Sequence, residues 1–139
     1  VDRDADAIGP FRGFLAGGAE HPLADWLDQT RARLVSSDLL ETELRRMAVR
    51  EGRDQAKVSA ILDGVSLAAL DRATYRSAGF LPMPYLRTLD ALHLEAAIRL
   101  DVDAILTYDK RLGDSAGEVG LDVIAPGTLD TGGARRGDA

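Results

Sequence analysis

Residues 104–109 read Ala104-Ile105-Leu106-Thr107-Tyr108-Asp109, an apolar run that ends in an aspartate. A short, uninterrupted apolar run is typical of a strand that is buried on both faces of a parallel sheet. The preceding stretch, from Leu89 to about Leu100, has apolar residues at helical spacing. A helix followed by a buried strand predicts an α/β fold, and the acid at the strand's end predicts a polar site there.

The same alternation of helical and strand patterns extends outward along the chain. Further strands are predicted at 34–36, 65–70 and 121–124, with helices from Pro22, over 39–50, over 54–62, over 72–78 and briefly from Asp109 through Leu112. Asp38 and Glu41 have the spacing of a capping box, and Thr88 is the expected N-cap of the helix before the apolar run. This order predicts a three-layer α/β/α sandwich with a parallel central sheet.

Composition narrows the functional classes. The chain has 139 residues, no cysteine and a formal net charge of -6. The absence of cysteine excludes disulfides, thiolate metal sites and thiol nucleophiles. No apolar run is long enough to span a bilayer and the N-terminus is acidic, so a cytoplasmic protein without a membrane segment is expected. The negative charge argues against binding nucleic acid by broad phosphate neutralisation, but it suits a nuclease whose carboxylates hold cations.

The two ends of the chain are the least regular. Residues 1–20 are rich in Asp, Gly and Ala and predict neither a strand nor a helix, and the tail from Gly127 has the composition of a disordered segment. We therefore expect one domain over 1–127, atypical over 1–20, followed by a disordered tail over 128–139.

Three acids stand apart from the solvated surface: Glu43, Asp90 and Asp109. Each taken alone is best explained as a helix cap or as a partner of the helix dipole. Their joint placement near helix starts and a strand end favours one site instead. Carboxylates without nearby cysteine suit Mg²⁺ or Mn²⁺, which in phosphoryl chemistry activate a water for attack on phosphorus.

Three stretches have residue type, order and spacing in common with one known family: Ser36-Ser37-Asp38-Leu39-Leu40-Glu41-Thr42-Glu43-Leu44, Leu86-Arg87-Thr88-Leu89-Asp90-Ala91-Leu92-His93-Leu94 and Leu106-Thr107-Tyr108-Asp109-Lys110-Arg111-Leu112. They resemble the PIN-domain toxins of VapC type, from bacterial toxin–antitoxin pairs. The resemblance extends from about Pro22 to Gly127.

The resemblance implies a Mg²⁺-dependent (or Mn²⁺-dependent) endoribonuclease that forms a homodimer and is inhibited by a cognate VapB-like antitoxin. It also implies that Glu43, Asp90 and Asp109 are catalytic metal ligands or their close support, with Thr107 as a polar neighbour. Arg87 would either contact the acids and a scissile phosphate or, the favoured alternative, form a structural ion pair. His93 lies among apolar residues, which favours a core or interface histidine over a general base.

The sequence departs from the family at its start. VapC-like chains open with an apolar strand that runs into Asp-Thr-Ser or similar, and this aspartate is a principal metal ligand. No such strand is predicted here, and the acids available are Asp2, Asp4 and Asp6, of which Asp6 is the candidate.

An N-terminally truncated enzyme and an inactive PIN-like remnant that binds an antitoxin or dimerises therefore remain alternatives. A phosphoacceptor signalling domain is disfavoured. That fold needs a lysine late in the chain to meet the phosphoryl group, and Lys110, directly after Asp109, is wrongly placed for this contact.

Overall fold

The computed structural model describes residues 11–16 and 33–125, and this part of the chain contains five strands and five helices. In chain order they are β1 (Arg12–Leu15), β2 (Arg33–Ser37), α1 (Leu39–Glu51), α2 (Gln55–Asp63), β3 (Val65–Ala68), α3 (Arg72–Ala78), α4 (Thr88–Arg99), β4 (Ala104–Leu106), α5 (Lys110–Glu118) and β5 (Asp122–Ile124). The element order confirms the α/β expectation.

The strands form one parallel sheet in the order β3-β2-β1-β4-β5. Because all strands run in the same direction, their carboxyl ends meet along one edge. β1 lies at the centre: Phe14 pairs with Val35 of β2 on one side and with Ile105 of β4 on the other. The carboxyl ends of these central strands therefore lie next to each other.

Successive side chains of the central strands point to opposite faces of the sheet, as strand geometry requires. One face buries Phe14, Val35 and Ile105 against α4 and α5, whose core residues include Leu94 and Leu112. The other buries Leu15, Leu34 and Leu106 against α1 and α2, through Leu40, Leu44, Ala48 and Val58. Helices thus cover both faces, and the predicted three-layer sandwich is confirmed.

The expected absence of a strand near the start of the chain is wrong. Residues 12–15 form β1, which hydrogen-bonds to neighbours on both sides. Composition hid the strand, since Arg12 and Gly13 have low strand propensity. Gly13 is closely packed: a Cβ there would lie 2.7 Å from the Leu106 side chain of β4, which would have to shift. The sheet therefore keeps its central member.

Several local predictions need correction. Asp38 adopts a helical conformation and makes no side-chain cap, so the capping box with Glu41 does not form. Its place is taken by the Ser37 hydroxyl, which accepts a hydrogen bond from the Leu39 N–H at 3.2 Å. Thr88 is the first helical residue of α4, and Arg87 takes the N-cap position without a side-chain cap.

The bounds of other elements agree closely with the sequence. α3 spans the predicted residues, and α1 ends at Gly52, whose φ of 66° is the left-handed conformation that glycine adopts readily. The helix after Asp109 continues to Glu118, beyond the predicted Leu112.

Other predictions fall on residues 1–10, 17–32 and 126–139, which lie outside the described part. They are the helix from Pro22, the candidate ligand Asp6 with its neighbours Asp2 and Asp4, and the tail. Over the described residues, no helix is both long and apolar enough to cross a membrane.

Candidate active site

Asp109 is fixed in position by the turn that follows β4. Its Oδ1 accepts a hydrogen bond from the Leu112 N–H at 2.9 Å and caps α5, as the sequence predicts. Its own N–H donates to the hydroxyl of buried Thr107 at 3.0 Å. Thr107 thus sets the backbone of the turn, and the cap sets the side chain. The capping explanation is therefore correct for Oδ1 of Asp109.

Asp90 lies in the first turn of α4, partly exposed, and its charge is affected by the other two acids. Burial raises the pKa of the Asp90 carboxyl, and the negative charge of Asp109 raises it further. Glu43 acts in the same direction more weakly, whereas His93 and Arg87 oppose the rise in this pKa. Coulombic interactions weaken with distance, so Asp109 and Glu43 lie within electrostatic reach of Asp90.

Glu43, on α1, is held by a buried histidine. His93 Nε2 lies 2.7 Å from Oε1 of Glu43, and the His93 side chain is 2% exposed against 28% for Glu43. A carboxylate can only accept, so Nε2 carries the proton and donates. The ring also packs edge-on against Phe14 of β1, with centroids 5.8 Å apart. The expected core histidine is confirmed, but its bond to Glu43 was not predicted.

Arg87 is exposed and immediately precedes α4. Within residues 11–16 and 33–125 it makes no ion pair, so the structural ion pair favoured from the sequence is not formed there. Its guanidinium nevertheless acts on Asp90, whose pKa it lowers slightly. A cation that lies beside acids without a tight ion pair to any described residue is suited to an incoming anion.

Within the described residues, the end of β1 brings no acid to the end of β4. The strand ends at Leu15, whose carbonyl accepts a bond from the buried Ser36 hydroxyl at 2.7 Å. The next residue is Ala16, whose N–H donates to the Leu106 carbonyl at 3.0 Å, and Gly17 and Gly18 follow in the sequence. The position adjacent to Thr107 on the neighbouring strand is therefore an alanine.

The sequence of this chain is similar to those of known proteins. Residues 14–118 match the family model of the PIN domain, a range that includes all three acids. The chain belongs to the PIN-domain family. The VapC-type resemblance of its motifs is confirmed by curated relatives from Mycobacterium tuberculosis. Ribonuclease VapC35 is 42% identical over 115 residues, 76% of this chain and 82% of that protein. Ribonuclease VapC46 is 40% identical over 101 residues, 70% and 78% of the two chains. Ribonuclease VapC47 is 34% identical over 99 residues, 68% and 73%.

The donor set of this PIN domain suits a hard divalent ion but is small. Among the described residues, no group of three or more His, Asp or Glu side chains is placed to hold a metal ion. Mg²⁺ is commonly bound through one or two carboxylates and keeps several waters. Asp90 and Asp109, whose charges interact, are the type of donor that such an ion prefers and are the residues that would hold it.

Sequence reasoning missed one member of the site, the link between Glu43 and His93. The two residues are 50 positions apart and belong to separate helices. The only available signal was the position of His93 three residues after Asp90, which places both on one side of α4. That spacing gives no information about which acid the ring would meet.

Proposed function

We propose that this PIN domain is a Mg²⁺- or Mn²⁺-dependent endoribonuclease, the toxin of a toxin–antitoxin pair. The observation that carries the proposal is the electrostatic interaction of Asp90, in the first turn of α4, with Asp109 at the N-cap of α5 and with Glu43 on α1. The similarity to proteins named ribonucleases over most of the chain supports it.

In the proposed site Asp90 and Asp109 hold the ion, and Glu43 adds negative charge beside them. When bound, such an ion makes a water acidic enough to attack phosphorus and offsets charge on the phosphate oxygens. The protein's own part is positional. Thr107 and the α5 cap fix Asp109, and the exposed Arg87 guanidinium is placed to contact the RNA phosphate that approaches Asp90.

The partners follow from the same proposal. The substrate is RNA, and a cognate VapB-like antitoxin would inhibit cleavage, with the toxin itself as a homodimer. The net charge of -6 is consistent with an RNA contact limited to the site, because it leaves no large Lys/Arg surplus for binding along the backbone.

The test compares two acid substitutions in the full chain. Asp90→Asn removes a proposed ligand, whereas Asp63→Asn removes an exposed acid at the end of α2. We expect wild type and Asp63→Asn to cut a mixed RNA pool with Mg²⁺ or Mn²⁺ and to stop in excess EDTA, while Asp90→Asn loses about a hundredfold or more in rate. Wild-type protein that cuts no RNA with either ion, or Asp90→Asn that cuts at the wild-type rate, contradicts the proposal.

The alanine at the end of β1 favours a second candidate, a catalytically inactive PIN domain that binds an antitoxin or dimerises. The resemblance implies an aspartate directly after the first strand, whereas β1 is followed by Ala16. The candidates for that aspartate, Asp2, Asp4 and Asp6, lie outside the described residues. Calorimetry with Mn²⁺ separates the two candidates. Tight binding of Mn²⁺ counts against the inactive module, whereas no binding, together with capture of the product of the neighbouring antitoxin gene, supports it.

A further inference from the structure

We propose that His93 is a positioning residue of the nuclease site, whose task is to hold the Glu43 carboxylate in place before any ion or RNA arrives. This inference rests on the proposed function and adds to it a residue that itself touches neither ion nor substrate. It starts from the hydrogen bond between His93 of α4 and Glu43 of α1, which joins the two helical layers.

The contact between Glu43 and His93 runs between helices on opposite faces of the sheet. Glu43 belongs to α1, which packs on one face of the sheet, and His93 belongs to α4, which packs on the opposite face. Their 2.7 Å hydrogen bond therefore joins the two layers. Since Asp90 precedes His93 by three residues on α4, the bond also couples the position of Glu43 to the helix that carries Asp90.

The His93 ring is held firmly by the residues around it. His93 is 2% exposed and packs edge-on against Phe14, itself fully buried in the central strand. A ring enclosed in this way has few alternative rotamers. Glu43, by contrast, is 28% exposed on a long, flexible side chain that loses much rotamer freedom when it is fixed. The rigid partner thus restrains the mobile one.

Burial is unfavourable for the second ring nitrogen of His93. Its Nδ1 is buried and has no hydrogen-bond partner among the described residues. A buried nitrogen without a partner destabilises the fold, and a methionine or leucine would fill the space beside Phe14 without that cost. Within the described part of the chain, the ring's one hydrogen bond is to Glu43. A histidine here makes physical sense for the sake of the carboxylate.

As a consequence, one carboxylate oxygen of Glu43 is hydrogen-bonded, and this bond also fixes the direction of the other oxygen. With Oε1 bound to Nε2, Glu43 stays near Asp90, where its negative charge acts. Losing the N–H would free the side chain to turn towards water. The acids would then have to be gathered when the ion binds, and the affinity for the ion would fall.

The test uses a matched pair of substitutions, His93→Gln and His93→Met. The two side chains have similar length and shape, and both lose the ring contact with Phe14, but only glutamine offers an N–H to Glu43. We expect the dissociation constant for Mn²⁺, measured by calorimetry, to rise about tenfold or more in His93→Met and to stay within about threefold of wild type in His93→Gln. RNA cleavage should follow the same order. Equal shifts in both variants, or none in His93→Met, would overturn the inference.

A second measurement separates failure of this inference from failure of the proposed function. A double-mutant cycle with His93→Met and Glu43→Met, followed by denaturant unfolding in EDTA, measures the pair without ion or RNA. We expect a coupling of about tenfold in the unfolding equilibrium constant, since a hydrogen bond to a charged group is being removed.

Three outcomes are then distinct. Clear coupling with a wild type that neither binds Mn²⁺ nor cuts RNA refutes the nuclease function, and with it the role of His93 in that reaction. An active wild type matched by an equally active His93→Met refutes only the role of His93. Absent coupling refutes the contact itself and therefore the inference.

Discussion

The carboxyl ends of the neighbouring strands β4 and β1 are built very differently. β4 runs into Thr107 and Asp109, where a hydroxyl and a helix cap fix an acid in place. β1 runs into Ala16, Gly17 and Gly18, which carry no ligand atoms in their side chains. The two ends are adjacent, because Leu15 pairs with Leu106. In the proposed site the α4–β4–α5 side would supply the ion ligands, while β1 contributes close packing through Gly13 and Phe14.

The largest expected effect tests the β4 side. Asp109 is both a proposed ligand and the cap of α5, and two substitutions separate these roles. Asparagine keeps a capping oxygen but loses the charge, whereas alanine loses both. We expect Asp109→Asn and Asp109→Ala each to reduce RNA cleavage about a hundredfold or more. Only Asp109→Ala should also lower the free energy of unfolding, by about 1 kcal/mol. Equal stability of the two variants would show that the cap contributes nothing.

The next effect tests whether the β1 side lacks only a carboxylate. Ala16→Asp places an acid beside the end of β4, and a third carboxylate should tighten Mn²⁺ binding by about tenfold. Ala60→Asp, on the exposed side of α2, adds the same charge elsewhere and is the control. If both variants bind Mn²⁺ equally well, the end of β1 does not face the acids, and the contrast between the two strand ends has no bearing on the ion.

These two sides also differ in how far the sequence predicted them. Strand β4 and the preceding helix α4 were predictable, because buried strands and amphipathic helices have strong local patterns of apolar residues. The strand β1 was not predictable, since Gly13 and Arg12 do not favour a strand locally. These residues form a strand only because they pair with β2 and β4. The bond between His93 and Glu43 also needed the fold, because neither residue's surroundings specify the other.

A smaller effect concerns the hydroxyl that sets the turn. Thr107→Val keeps the shape but removes the acceptor for the Asp109 N–H, and we expect cleavage to fall about three- to tenfold. Thr107→Ser keeps the hydroxyl and should remain close to wild type. Cleavage assays on both variants at saturating Mg²⁺ provide the measurement, and a Thr107→Val protein as active as Thr107→Ser would remove Thr107 from the site.

The smallest effect is on stability and depends on pH. Burial and Asp109 raise the pKa of Asp90 in the folded state, so the folded protein binds this proton more tightly than the unfolded chain does. The ionised carboxylate therefore opposes folding. This opposition is absent below the unfolded pKa, grows as pH rises towards the raised folded pKa, and is complete above it.

Asp90→Asn should accordingly raise the melting temperature of the metal-free protein at pH 7. Solvent screening of a partly exposed group keeps the rise small, roughly 1–3 °C. The gain should shrink below about pH 4, where the aspartate is itself protonated. Calorimetric melts in EDTA at both pH values measure it, and a lower melting temperature at pH 7 would mean that Asp90 stabilises the fold.

The order of the strands has a consequence for how the chain acquires its shape. β1 is early in the sequence, yet its partner β4 is among the last elements, with Gly13 paired to Ala104. Pairings between distant segments are slow to form, because much chain must be ordered before they are made. During synthesis one edge of β1 therefore stays unpaired until nearly all of the domain has left the ribosome. Asp109 follows β4 directly, so we expect the acids to meet only at the final stage of folding.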